Sequence, residues 1–599
     1  MVLFRGRNRS HPNRSECTVY DFMVKRARKS PNQVAVRRRR GVGGWTGVTA
    51  RQLLNEINEC ARGFLGMGLK KGDRVAIMAS TSYEWMLLDY AASSLGIVIV
   101  PIYDSDSAEQ ITWITRKAHI QMAICDTIQR YELLEHACAP TVKQFFTLES
   151  DGLQTLIDAG AQVDENQLTT AQSQPQIDDI ATIIFTSGTT GKPKGAILRH
   201  RNFVDTIYAI HERVPYAIGD PNQSLLLFLP LAHVLARFVQ YAVLAGPAVV
   251  AHSPDTKNLL TDMESFKPTA LLLVPRVLEK IYNAAEAKAG KGLRLKLFRW
   301  AASRAIAFSK AQHTRLGPSA RLRAEKALAH RLVLHRVTDV LGPMQYMVIG
   351  GAPLSSDLGH FFHGLGIEIL QGWGLSETTG PATLSDPVTT PMESVGSALP
   401  GNELRISSDG EVCVRGDVVF HGYLDDPEQT QEALQDGWFH TGDLGTLDER
   451  GNLTITGRMK DLIVTAGGKN VSPAVLEDAL ITHPLIAHVV VVGEKRPYIG
   501  ALITLDEEML PTWLENHGLD PISPIAATHD PNVRASLDRA IKRANKAVSR
   551  AESIRRFRII NAQFTVDNGY LTPSLKIKRN VITRDFANEI DALYNEEDD

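Results

Sequence analysis

With 599 residues, the chain exceeds what one core of ordinary size accommodates, so at least two domains are expected. Its composition is globular, at 44% hydrophobic, 22% charged and 7% aromatic residues, and a formal net charge of -2 removes any global reason to expect a nucleic-acid partner. No apolar run approaches the roughly 20 residues that span a bilayer, and no apolar stretch of a secretory signal follows the basic residues up to Arg14.

In chain order, helix-like patterns at residues 50–65 and 83–94 alternate with short apolar runs at 75–79, 97–100, 180–185, 225–229, 271–274 and 347–349. The last five runs stop at Pro, Gly or another turn-rich segment, as buried parallel strands do. Strands interleaved with helices predict α/β architecture with parallel sheets. Beyond about Pro400 the texture changes. Residues 403–407, 411–415 and 452–456 alternate apolar and polar side chains around Asp409-Gly410 and Arg450-Gly451, so a small antiparallel β subdomain is expected. A fresh α+β pattern follows Gly457-Arg458, with a helix near 473–482 and strands at 489–492 and 501–505. The expected division is a large N-terminal domain over 1–457 and a smaller, mobile C-terminal domain over 458–599. The five cysteines (Cys17, Cys60, Cys125, Cys138, Cys413) lack CxxC spacing. That fits reduced thiols in a cytoplasmic protein better than disulfides or a zinc site.

One insertion, at about 285–340, stands apart. Lys291, Arg294, Lys296, Arg299, Arg304, Lys310, Arg315, Arg321, Arg323, Lys326 and Arg331 are interleaved with leucines, and Glu325 is the only acid between Lys288 and Arg336. Basic amphipathic helices packed on the core, a patch facing anionic lipid, and a protein or RNA contact are three readings of this pattern.

The segment Thr186-Ser187-Gly188-Thr189-Thr190-Gly191-Lys192-Pro193-Lys194-Gly195 follows the apolar run 180–185 directly. Its glycines allow close backbone approach to a ligand, its hydroxyls are short donors, and its two lysines are cationic. A strand ending in such a loop suits polyphosphate. It is not a P-loop, which needs four residues between its glycines and a Ser or Thr after the lysine. No GxGxxG occurs in the glycine cluster from Gly41 to Gly47 either.

At this loop the sequence resembles the adenylate-forming enzymes, a family that includes acyl-CoA synthetases, luciferases and peptide-synthetase adenylation domains. The resemblance runs from about Asp21 to Ile582, with motifs in the family's order. Gly350-Gly351-Ala352-Pro353-Leu354 is similar to the adenine-side loop. Gly372-Trp373-Gly374-Leu375-Ser376-Glu377-Thr378 resembles the glycine-aromatic-glycine motif, with Trp where Tyr is usual. Trp438-Phe439-His440-Thr441-Gly442-Asp443 resembles the ribose-binding motif and Gly457-Arg458-Met459-Lys460-Asp461 the hinge. Gly467-Gly468-Lys469 is similar to a glycine-lysine turn, and Leu571-Thr572-Pro573-Ser574-Leu575-Lys576 to the segment bearing the catalytic lysine.

The resemblance implies ATP, Mg2+ and coenzyme A as ligands. Glu377, with Thr186, is a hard oxygen ligand for Mg2+ on the phosphates. Trp373 is placed to stack on adenine or to serve as a plain core aromatic. Asp443 is placed to accept from the ribose hydroxyls, and Arg458 to contact ribose or phosphate. Lys576 would relieve the repulsion when a carboxylate attacks the α-phosphate. His233, in Leu229-Pro230-Leu231-Ala232-His233, is either the group beside the acyl carboxylate or a structural histidine. In the family the small domain turns about the hinge, so that the Lys460–Gly467 face replaces Lys576 for the thiol step.

The detailed spacing, including Val274-Pro275-Arg276, is similar to bacterial long-chain fatty acyl-CoA synthetases. A fatty acid is therefore the expected substrate, although the residues lining its tunnel are not legible in sequence. Two other functions are weighed against this one. An acyl-AMP ligase could load a carrier protein supplied in trans, because no carrier segment follows Lys576. A silent lipid-binding membrane scaffold is disfavoured by the joint presence of Lys576, Glu377 and Asp443.

Overall fold

The computed structural model describes residues 3–5, 16–41, 43–186, 192–254, 258–314, 316–565, 568–572 and 576–595. It is a mixed α/β protein with a large N-terminal part built on parallel sheets and a smaller C-terminal part. Two sheets dominate the large part. In the first, the parallel strands Gln144–Thr147, Met122–Cys125, Arg74–Met78, Val98–Pro101 and Ile180–Thr186 stand in that order, and the antiparallel strand Lys194–Arg199 follows. In the second, Val34–Arg39, Val249–His252, Ser224–Leu227, Ala270–Leu273, Tyr346–Ile349 and Glu368–Leu375 run parallel, with antiparallel strands at both edges. The predicted strands are therefore present, shifted by a residue or two at their ends where apolar side chains continue into the following turn.

Helices fill the space between the sheets. Tyr83–Leu95 is buried at every residue but Glu84 and starts at Ser82, whose hydroxyl accepts from Trp85 N–H. It stops at Gly96, whose φ of 67° is the left-handed cap that glycine adopts without strain. Val234–Ala245 begins at His233. It is tied to its surroundings by Arg237, which pairs with Asp89 in a region nearly devoid of solvent. Arg237 also donates to Thr182 Oγ1 at 2.7 Å and to Tyr241 OH at 2.8 Å.

The antiparallel subdomain expected after Pro400 is a six-stranded sheet. It includes Asn402–Ile406, Glu411–Gly416, Trp438–Leu447 and Leu453–Arg458, joined at its edge by Leu3–Arg5. The C-terminal residues build a separate core around the strands Ile486–Val492, Ile499–Leu505 and Ile554–Ile560, covered by the helices Pro473–Ile481 and Pro531–Ala544. The basic insertion is helical over Leu293–Gln312 and Ala320–Ala329, and it continues through a π-helical turn at His330–Leu334. The inner face, with Phe298, Ala301, Ala302 and Ala305, packs into the second core. The five cysteines form no disulfide. Among the described residues no helix is long and apolar enough to cross a membrane.

Burial sets the acid behaviour of this fold. His200 and His233 are lowered to about 4 by burial, as are His483 and His488, and His252 to about 3. Below pH 6.5 the unfolded chain takes up protons that the folded chain refuses, so each of these groups destabilises the fold as pH falls from 6.5 towards 4. The slope is at most about 1.4 kcal/mol per pH unit for each. Asp106 and Asp478, raised by burial to about 6 and about 7, act in the opposite sense, but two carboxylates do not offset five imidazoles. The denaturant midpoint is expected to hold between pH 8 and 7 and to drop between pH 6.5 and 5. A midpoint indifferent to pH over the lower interval contradicts this account.

Candidate active site

The two large sheets and the antiparallel subdomain meet at a cleft of about 630 Å3 that the C-terminal part covers through Thr572 and Lys576. Its character changes along its length. One arm is apolar. The helix Val234–Ala245 turns Leu235, Phe238, Val239, Ala242 and Val243 into it, a single stripe at i, i+3, i+4, i+7 and i+8. Ile210, Val214, Ala217 and Ile218 face that stripe, and Ile349, Leu370 and Leu384 come from the second sheet. The other end is polar, lined by Thr186, Lys194, His233, Ser376, Glu377, Arg458, Lys460, Asp461 and Lys576.

The register of the hairpin places Thr186 opposite Lys194. Lys194 Nζ lies 5.3 Å from the Tyr423 ring centroid, and Lys192 Nζ lies 4.5 Å from that of Trp113. Trp113 Nε1 donates to the Pro193 carbonyl at 3.0 Å, which holds that ring beside the loop, so both lysines have aromatic neighbours. Ser187, Gly188, Thr189, Thr190 and Gly191 lie outside the described residues.

Glu377 sits on the short 3-10 turn Ser376–Thr378 and is buried. The Tyr423 hydroxyl donates to its Oε1 at 3.0 Å, and Phe420 N–H holds its backbone carbonyl at 2.8 Å. Oε2 has no hydrogen-bond partner among the described residues, so one hard oxygen is available on the cleft side. The turn survives because Thr378 Oγ1 accepts from Leu375 N–H at 2.7 Å and donates to the Gly380 carbonyl at 2.9 Å. Tyr423 carries no motif signal. Its strand pairs with Lys194–Arg199 from the other side of the hairpin, a proximity that only the fold provides.

Asp443 is 5% exposed and both of its oxygens are held: Oδ2 accepts from Trp373 Nε1 at 2.9 Å and Oδ1 from Arg458 Nε at 2.6 Å. The antiparallel register pairs Asp443 with Arg458 directly. Trp373 lines the cleft but is 9% exposed, packed against Ala382, Ala398, Leu404 and Val412. Its indole edge is thus a donor that orients a carboxylate, and Asp443 itself stands behind Trp373 and Arg458.

His233 caps its helix, with Nδ1 accepting from Leu235 N–H at 3.2 Å. Burial keeps it neutral at pH 7, and the nearby positive charge of Lys576 acts in the same direction. Lys576 is open to water inside the cleft yet ringed by protein. Its ammonium pKa is lowered by burial first and by Arg458 second, against the attraction of Asp443 and Glu377. A short bridge from Leu571 to Ile577 aims it, together with Thr572 N–H to the Lys576 carbonyl at 2.7 Å. Gly351 borders the cleft, Ala352 and Pro353 are exposed beside it, and Gly372 and Gly374 line it. Lys460 lines it too, whereas Gly467 lies in the 465–469 turn away from it.

The AMP-binding enzyme family matches residues 23–424, and the AMP-binding enzyme C-terminal domain matches residues 460–598. The chain is 45% identical over 565 residues to the long-chain-fatty-acid–CoA ligase FadD15 of Mycobacterium bovis, covering 93% of each. Among solved structures it resembles the O-succinylbenzoate coenzyme A synthetase of Bacillus subtilis in complex with ATP and magnesium. That match has a TM-score of 0.68 and 20% identity, over 93% of this chain and 98% of that one. It also resembles the adenylation domain of the Mycobacterium chelonae carboxylate reductase, with a TM-score of 0.73 and 20% identity, over 98% of this chain and 92% of that one.

The glycines of the site differ in what they require. A Cβ on Gly374 would stand 1.8 Å from the Gly380 carbonyl oxygen and 2.8 Å from Thr378 Oγ1, which the Glu377 turn cannot accommodate. A Cβ on Gly467 would meet nothing nearer than Thr465 Oγ1 at 4.0 Å. Gly374→Ala is expected to destabilise the fold by about 2 kcal/mol, and Gly467→Ala to leave the denaturant midpoint unchanged. Equal midpoints for Gly374→Ala and the parent chain would refute the packing argument.

Proposed function

The chain belongs to the AMP-binding enzyme family, and we propose that it activates a long-chain fatty acid with ATP and passes the acyl group to coenzyme A. The observation that carries this reading is the lining of the cleft: an apolar arm that adjoins a chamber where Lys576, Lys194, Glu377 and Arg458 converge. Each methylene moved from water into such an arm gains about 0.8 kcal/mol, so an extended alkyl chain is retained while its carboxylate is presented to the cations. The name of the relative at nearly half identity supports the same substrate and thiol.

In the first half-reaction a carboxylate oxygen attacks the α-phosphorus of ATP, the bond to the bridging oxygen of the β-phosphate breaks, and diphosphate leaves. Lys576 reaches into the chamber where two anions must meet and offsets the charge concentrated there. Lys192, Lys194 and the residues from Thr186 to Gly191 hold the phosphates. Glu377 and Thr186 offer the oxygen ligands that Mg2+ on those phosphates requires, and the free Oε2 of Glu377 suits that task. Asp443, oriented by Trp373 and Arg458, receives the ribose, with Gly351, Ala352, Pro353, Gly372 and Ser376 around the base. Neutral His233 stands beside the acyl carboxylate without adding charge. In the second half-reaction the coenzyme A thiolate attacks the acyl carbonyl, the bond to AMP breaks, and the thiol proton passes to solvent. The C-terminal domain beyond residue 457 turns between the two steps, withdrawing Lys576 and bringing up Lys460 and the open turn at Gly467.

Peripheral membrane contact through the basic insertion belongs to the same reading. Arg299, Arg304, Lys310 and Arg321 are paired with Glu286, Glu325, Asp357 and Glu325. Among the described residues Lys291, Arg294, Lys296 and Arg331 have no carboxylate partner, and Leu293, Leu316, Leu328 and Leu332 are exposed beside them. Free cations interleaved with exposed leucines suit an anionic lipid surface.

Lys576→Ala is expected to reduce diphosphate release with palmitate and ATP by at least about a hundredfold, leaving thioester formation from supplied palmitoyl-AMP and coenzyme A within a few-fold. Equal loss of both steps would remove Lys576 from its role. Adenylate formation without any coenzyme A thioester in the parent chain would instead favour a carrier-loading ligase. Binding to phosphatidylglycerol vesicles should weaken with salt, and by about tenfold or more in Arg294→Glu/Lys296→Glu. Salt-insensitive binding, or none, dismisses the membrane contact.

A further inference from the structure

The turn Val274-Pro275-Arg276 has no place in the chemistry above, yet it opens the helix Pro275–Ala289 directly behind the strand Ala270–Leu273 of the second sheet. Arg276 stands between two carboxylates. Its Nη1 lies 3.1 Å from Glu279 Oε2 on its own helix, and its Nη2 lies 3.2 Å from Asp506 Oδ2, which belongs to the C-terminal part. Asp506 follows the strand Ile499–Leu505 and is fixed by its own turn: its N–H donates to the Leu485 carbonyl at 2.9 Å, and its Oδ1 accepts from Met509 N–H at 3.1 Å. The carboxylate is thereby aimed at Arg276 before the two parts meet.

We propose that Arg276 is a positioning residue for the first half-reaction, forming with Asp506 a latch that holds the C-terminal part in the orientation with Lys576 in the cleft. The inference rests on the two-step reading given above. Three features support it. The contact joins parts 230 residues apart in sequence, at the face where the Pro275–Ala289 helix meets the Leu510–His517 helix. The side chains are partly shielded, Arg276 being 29% and Asp506 13% exposed, so the pair is screened less than a surface pair. The neighbouring Lys280–Glu508 pair at 3.3 Å is 60% and 81% exposed and contributes little.

Glu279 makes the latch reversible. When Asp506 departs, Arg276 keeps a carboxylate on its own helix, so neither orientation leaves the guanidinium unpaired. Of the two contacts of Arg276, only the one with Asp506 differs between the orientations, and only such a difference can bias them. The docked orientation also brings half-buried Asp478 towards Glu279, whose repulsion adds, after burial and the neighbouring Glu477, to what raises the Asp478 carboxyl. Attraction at Asp506 set against repulsion at Asp478 leaves the interface able to release.

The test uses the full chain and reads the halves separately: diphosphate release from palmitate and ATP without coenzyme A, and thioester formation from supplied palmitoyl-AMP and coenzyme A. Arg276→Ala and Asp506→Asn are expected to slow the first by about tenfold and to leave the second unchanged or faster. Lys280→Ala should alter neither. Arg276→Glu should be worse than Arg276→Ala, because it adds a third carboxylate. Arg276→Glu/Asp506→Arg should recover the first half-reaction, since the new guanidinium again lies between two acids. Loss of both halves together, no change in either, or failure of the double reversal to recover diphosphate release overturns the latch. A parent chain that performs only one half-reaction would instead defeat the two-step reading itself.

Discussion

A guanidinium and a carboxylate sealed inside the protein constrain everything around the cleft. Arg237 and Asp89 are 2% and 0% exposed, and taking each ion out of water costs several kcal/mol unless the other is in place. The helix Val234–Ala245 therefore cannot slide or rotate by a turn without orphaning both charges. Arg237 and Tyr241 occupy the face that meets Asp89, while Leu235, Phe238, Val239, Ala242 and Val243 occupy the face that lines the apolar arm. The same guanidinium donates to Thr182, in the strand that ends at Thr186. One ion pair thus registers the wall of the apolar arm against the strand that ends at Thr186, across the seam between two sheets.

A second constrained carboxylate organises the other side. Asp443 has each oxygen claimed by a different element, Trp373 from the second sheet and Arg458 from the end of the last strand before the 3-10 turn Met459–Asp461. In the proposed reaction this carboxylate meets the ribose already oriented, and Arg458 links its position to the start of the hinge. The motif resemblance leaves two roles for Trp373, stacking on adenine or a plain core aromatic. Here the indole body is enclosed by Ala382, Ala398, Leu404 and Val412, and the informative atom is the nitrogen at its edge.

Legibility followed locality. The parallel strands were visible because burial on both faces leaves continuous apolar runs, and the polar motifs because their residues are adjacent in sequence and chemically unusual. The apolar arm was invisible for the converse reason. Ile210, Val214, Leu235, Val239, Ile349 and Leu384 come from distant helices and strands, and each alone is an ordinary core residue. Tyr423 beside Glu377 and Asp506 beside Arg276 escaped as well, since neither sits in a motif and both partnerships exist only when separate elements dock. The capping role of His233 depends on where its helix begins, which a histidine after Ala232 does not announce.

In the proposed reaction, these placements make the orientation of the C-terminal part responsive to the reaction's own charges. Before substrate arrives, Lys576 sits in a chamber that also holds Arg458 and Lys194, and its lowered pKa records the disfavour of placing an ammonium there, through burial first and Arg458 second. Glu377 and the shielded Asp443 oppose that disfavour. A bound triphosphate adds several negative charges at the same spot and turns the disfavour into attraction. Once diphosphate leaves, the acyl-adenylate retains a single phosphate charge and the attraction falls. A protein with two orientations populates them according to such differences in interaction energy. In the proposed reaction, the step that Lys576 serves thereby weakens its own hold on the cleft.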